Sequence, residues 1–133
     1  MSYANNPTSI LAGAGITVTP TTGTGANTIT ISASGIVTLA IRNALVTPVV
    51  VSAATDDVVS VQVPGPVPVA VTLPVGVLGQ SFTIKDGLGL ASPITPITIT
   101  PTAGTIDGAV AAVINVPYGS LTVVYNGTQW LIL

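Results

Sequence analysis

An all-β fold follows from three features of the sequence. Val, Ile and Thr supply 20, 13 and 20 of the 133 residues, and all three are stiff at χ1 and suited to a pleated surface. Fourteen glycines and eleven prolines interrupt the chain at short intervals. No window of about 12 residues free of Gly and Pro carries apolar residues at i, i+3, i+4 and i+7. The expected architecture is a compact β-sandwich or small barrel of about ten short antiparallel strands with an extended N-terminal arm. Residues 1–34 read as the arm and a short hairpin, and residues 35–133 as the sandwich domain.

The elements follow in order. Residues 1–12 have little periodicity and read as a flexible or partner-ordered arm. Ile16 to Thr19 and Thr28 to Ser32 alternate with period two around a Thr/Gly-rich loop, giving two short strands, and Ser34-Gly35 ends them. Candidate strands follow at 36–42, 47–52, 58–63 and 67–73. The middle of 47–52 is apolar throughout, as for a strand covered on both faces. Pro68 and Pro74 bracket an alternating run and suggest a protected edge strand. Gln80 to Lys85, Pro96 to Thr100 and Ala111 to Val116 alternate or run apolar between turn residues. Ser120 to Tyr125 and Gln129 to Ile132 flank Asn126-Gly127, a strong hairpin signal. No exact repeat is visible.

Charge narrows the function. Arg42, Lys85, Asp56, Asp57, Asp86 and Asp107 are the only charged side chains, and Cys, His and Glu are absent. Thiolate and histidine metal sites, Cys or Ser–His catalysis and a basic nucleic-acid surface are therefore excluded. No catalytic residue, metal site or cofactor is expected. Prolines and Asp56-Asp57 break the most apolar region, so no run of about 20 apolar residues could span a membrane as a helix. The polar start lacks Lys and Arg and does not read as a signal peptide. Mean hydropathy is nevertheless +0.82, and soluble monomers rarely expose large apolar patches. An obligate oligomer, attachment to a large assembly, or both, is expected.

Individual motifs have plain structural readings. Asp86-Gly87 and Asp107-Gly108 read as turns whose carboxylates bond local backbone, with no second titratable group to make a catalytic pair. Asp56-Asp57 reads as a solvated turn, too isolated to supply the six to eight oxygens of a Ca²⁺ site. Lys85 beside Asp86 is a candidate ion pair, surface pair or interface contact. Gly13-Ala14-Gly15 lacks the Gly-Lys-Ser/Thr tail of a phosphate loop, and Asn126-Gly127-Thr128 reads as a turn. Thr98 and Thr100 alternate on one strand, as on ice-binding surfaces, but without a regular repeat. Tyr118, Tyr125 and Trp130 read as core or interface anchors, with sugar stacking as the alternative.

From Leu73 to Leu133 the chain resembles a module of tailed-bacteriophage virion proteins. The resemblance is carried by Leu73-Pro74, Gly79 to Gly87, Pro96 to Pro101, Gly104 to Ala109 and Tyr118 to Trp130. Residues 13–32 resemble a segment that precedes folded domains in phage fibre and appendage proteins. The resemblance implies a non-enzymatic, trimeric β-structured part of a phage particle: tail fibre, head fibre or capsid decoration. An arm followed by one domain points to a capsid decoration (cement) protein. It would sit on the outer head surface as a homotrimer and bridge subunits of the major capsid protein. Tyr3, Ile10, Leu11, Tyr118, Tyr125 and Trp130 are the expected partner or oligomer contacts, with no nucleic acid and no membrane involved. The alternative is a tail-fibre, baseplate or head-fibre component binding host-surface glycans, and a free ice-binding or adhesive protein is a more distant one.

Overall fold

The computed structural model describes residues 16–20, 29–33 and 38–133. They fall into two units that divide between Thr38 and Leu39. In the first, β1 (Ile16–Pro20) pairs antiparallel with β2 (Ile29–Ala33), the hairpin expected from the alternation. The arm residues Tyr3, Ile10 and Leu11, the Gly13–Gly15 segment and the Ser34-Gly35 breaker lie outside the described residues.

In the second unit the chain alternates between two sheets. β3 (Ile41–Ala44), β5 (Val58–Val61) and β7 (Ser81–Asp86) run parallel in one sheet. β4 (Val49–Val50), β6 (Val69–Leu73) and β8 (Ile97–Pro101) run parallel in the other. Each successive turn of chain thus adds one strand to each sheet. After β8 the direction reverses. β9 (Ala112–Ile114) pairs antiparallel with β8, β10 (Ser120–Tyr125) with β7, and β11 (Trp130–Ile132) with β10. The sheet orders are β11-β10-β7-β5-β3 and β4-β6-β8-β9. The described residues are all-β, with no helix among them, as expected. The expectation of antiparallel pairing is corrected: both sheets are mixed.

Register explains the core. Parallel pairing sets like positions side by side, giving the rows Val49–Val71–Ile99 and Val69–Ile97 in one sheet. Val59–Ile84 and Val61–Asp86 form rows in the other. The inward apolar members of both sheets belong to one buried cluster that also contains Leu73, Phe82, Val123 and Trp130. Trp130 is 0% exposed, with its ring centroid 5.6 Å from Phe82 and 5.2 Å from Tyr125. Trp130 N–H donates to the Thr105 carbonyl, and the Asp107 N–H donates to the Trp130 carbonyl.

The outward face of the five-stranded sheet carries hydroxyl and amide side chains and a single charge, Lys85. Thr83 and Thr122 share a 2.9 Å hydroxyl bond, and the Gln62 amide donates to Asn43 at 3.2 Å. This is how a chain with few ions keeps one face wetted.

Two local expectations are corrected. β6 is not an edge strand, because it lies between β4 and β8; Pro68 and Pro74 flank it, so neither removes a ladder N–H. Residues 47–52 are not covered on both faces. Only Val49 and Val50 are strand, at a sheet edge, and Val50 is 66% exposed.

The parallel order has one consequence for the surface. Loops after β3, β5 and β7 all emerge at the same side and stack: residues 45–48, 62–68 and 87–96. The first and third of these loops are each tied to the start of β6. The Ala70 N–H donates to Thr47 Oγ1, and the Val69 N–H to the Pro96 carbonyl.

A tyrosine clamp at the loop edge

The candidate functional site is built where β7 ends. Strand alternation puts Phe82, Ile84 and Asp86 on the inward side and Thr83 and Lys85 on the outward side. A carboxylate therefore falls in phase with the core, and Asp86 is buried. Its Oδ1 accepts the N–H groups of Leu88 and Gly89 at 3.3 and 3.0 Å. Its Oδ2 accepts those of Ala91 and Tyr118 at 2.9 and 3.1 Å. Burial pushes this carboxyl up, but the backbone N–H bonds, those of Ala91 and Tyr118 foremost, outweigh it and hold Asp86 below the ordinary carboxylate value.

Asp86 fixes Tyr118 in an unusual place. Val116 to Gly119 form a turn closed by the Gly119 N–H donating to the Val116 carbonyl at 3.0 Å. Pro117 is second and Tyr118 third, with φ +57°. A turn with Pro second and positive φ third normally takes Gly or Asn at that third position, and a bulky residue there is strained by roughly 1–3 kcal/mol. Three neighbours offset this strain. The Asp86 carboxylate holds the Tyr118 N–H, and the Lys85 ammonium donates to the Tyr118 carbonyl. The third is Gly89, whose missing Cβ leaves room for the ring: a Cβ there would lie 2.5 Å from Tyr118 ring carbons. The Lys85 ammonium also stands 5.9 Å from the ring centroid, within cation–π range. Adjacent residues of opposite charge, on opposite faces of one strand, hold one tyrosine that remains 63% exposed.

The other carboxylates have structural partners. The Arg42 Nε and Nη2 donate to Asp56 Oδ1 and Oδ2 at 2.9 and 2.8 Å, and the Ser52 N–H adds a bond to Oδ2. Arg42 also donates to the Val50 carbonyl, linking the two sheets where β3 and β4 end them. The guanidinium holds Asp56 below the usual range, and the carboxylate raises Arg42 in turn. Asp56 is therefore buried and paired, correcting the expected solvated turn; Asp57 is exposed and accepts the Ala40 N–H. Asp107 occupies a tight turn between Ile106 and Ala109, with positive φ at Asp107 and Gly108. Its Oδ1 accepts the Ile132 N–H. Among the described residues no group of three His, Cys, Asp or Glu could hold a metal.

The expected contact residues separate by burial. Tyr118 is exposed, Tyr125 is half-buried against Trp130, and Trp130 has no surface to offer a partner. Trp130 is thus a core residue, a correction to its place among partner contacts, and a glycan platform built on it is not available. Its buried indole N–H has no acceptor among the described residues. Thr72, Thr98 and Thr100 share the outer face of the four-stranded sheet with Val50, Ala70 and Val113, so the threonine array is interrupted. A crevice between the second and third stacked loops, reaching Asp86, Val67 and Leu90, has room for about one water molecule. The chain matches no protein-family model and no curated protein.

Proposed function

We propose that this chain is a capsid decoration (cement) protein of a tailed bacteriophage, without enzymatic activity. In this reading the two sheets form a sandwich, preceded by an N-terminal arm. It binds the outer head surface as a homotrimer and stabilises the shell by bridging major capsid subunits. The observation that carries the reading is the apolar surface of the second unit, where eighteen large hydrophobic side chains are exposed. Many apolar contacts repeated at equivalent lattice sites give firm attachment through effective concentration, without strong individual bonds. The resemblance of residues 73–133 to virion modules adds the particle. With six charged side chains in the whole chain, little of the binding energy is ionic.

Incubating the purified protein with heads that lack it tests the proposal. Saturable binding at lattice stoichiometry, retained in 1 M salt where exposed ion pairs are screened beyond about 3 Å, supports it. Absence of binding at high protein concentration contradicts it.

A further inference from the structure

We infer that the flank formed by the stacked loops 45–48, 62–68 and 87–96 is the surface through which copies of this chain associate, with Tyr118 as its anchor. The inference rests on the trimeric reading above and assigns its interface. The flank carries no charged residue in any of the three loops. Leu45, Val46, Val67, Leu88 and Ile94 are exposed on it, and Tyr118 joins them through its contact with Gly89. Five exposed prolines, at 48, 64, 66, 68 and 93, stiffen the same loops, so little conformational freedom is lost when they are covered.

Area and chemistry select the occupant. At roughly 60–120 Å² for a fully exposed aliphatic side chain, these residues and prolines present on the order of 500 Å² of apolar surface. Monomers seldom show a larger patch, and a stable complex buries about 800 Å² per partner. The flank therefore supplies more than half of one side of an interface. A patch at the upper end of what monomers show is favourable to cover, and a permanent, uncharged interface is the kind formed between identical subunits. Three copies placing the flank on a common axis bring equivalent loops together and close the assembly. The clamp then has a purpose: Tyr118 is held in a strained turn because an exposed, rigid aromatic anchors such interfaces.

Sedimentation equilibrium of the full chain and three variants tests the inference. Wild type is expected at three times the 13.1 kDa chain mass. Tyr118→Gly removes the ring and relieves the positive-φ strain, and Ile94→Asp places a charge on a side chain that is 85% exposed. Each is expected to weaken association about 30-fold or more while keeping the far-ultraviolet circular dichroism of the wild type. Val77→Asp, in the loop between β6 and β7 at the other end of these strands, is expected to remain trimeric. If both flank variants stay trimeric, or if Val77→Asp dissociates equally, the inference is overturned and the trimeric reading stands. A wild-type monomer overturns the trimer and the interface together, leaving head binding to be judged by its own assay.

Discussion

Asp86→Asn exchanges one carboxylate oxygen for an amide group and leaves the shape of the side chain nearly unchanged. The wild-type oxygens each accept two backbone N–H groups, Leu88 and Gly89 on one side, Ala91 and Tyr118 on the other. An amide can offer its oxygen to only one pair, and the other pair then faces an NH₂ donor. Two donors left unmet at about 1–2 kcal/mol each give a loss of about 3 kcal/mol. With a urea m-value near 2 kcal/mol/M for a chain of this size, the midpoint should fall by about 1.5 M at pH 7. The comparison requires equal protein concentration, because association adds to apparent stability. The acid limb gives a second reading. Folding holds Asp86 below its ordinary value, so the unfolded chain takes up the proton first. Wild-type stability is therefore full above the ordinary carboxylate range near 4 and declines as pH falls toward the folded value. Asp86→Asn lacks this titration, so the gap between variant and wild type should narrow at pH 3. A midpoint shift below about 0.5 M, or a gap that stays constant with pH, would refute the role given to the four N–H bonds.

Other changes probe other parts of the fold. Arg42→Met leaves the buried Asp56 carboxylate without its bidentate partner and should cost about 2–3 kcal/mol in urea unfolding, the low side for a buried pair because Arg42 is partly exposed; Arg42→Met with Asp56→Asn should recover part of it. Gly89→Ala meets both a positive φ of 72° and the Tyr118 ring, and should lower stability by about 1–3 kcal/mol while shifting the Tyr118 ring resonances in NMR spectra. Trp130→Phe opens a small void but removes a buried donor that has no acceptor among the described residues. It should therefore cost less than the roughly 3–5 kcal/mol of a Trp-to-Ala truncation at the same site, measured by the same unfolding curves.

Much of the strand pattern was legible. The alternation in Gln80 to Lys85 and Pro96 to Thr100 marks β7 and β8 almost to their ends, and Asn126-Gly127 marks the turn before β11. Alternation tells which face a side chain takes but not which strand lies beside it, so parallel pairing was hidden. The structural repeat was hidden for a related reason. Ile41 aligns with Val58 and Val58 with Thr83, spacings of 17 and 25 residues, because the loops differ in length. Arg42 and Asp56 meet across fourteen residues, a distance no local rule reaches. The inward phase of Asp86 was readable from Phe82 and Ile84, and a carboxylate in that phase is a signal for a backbone clamp. Tyr118 gave no such signal. In Val116-Pro117-Tyr118-Gly119 the glycine is the expected positive-φ residue, and tyrosine takes that place because its N–H donates to Asp86, its carbonyl accepts from Lys85 and Gly89 leaves room for its ring.

An image reconstruction of heads assembled without this protein and then saturated with it tests the central claim most directly. The account predicts three-lobed density on the outer shell, with a 39–133 unit in each lobe and the Tyr118 flanks facing one another across the three-fold axis. Bare heads, or single separate lobes whose loop flanks face solvent, would contradict it.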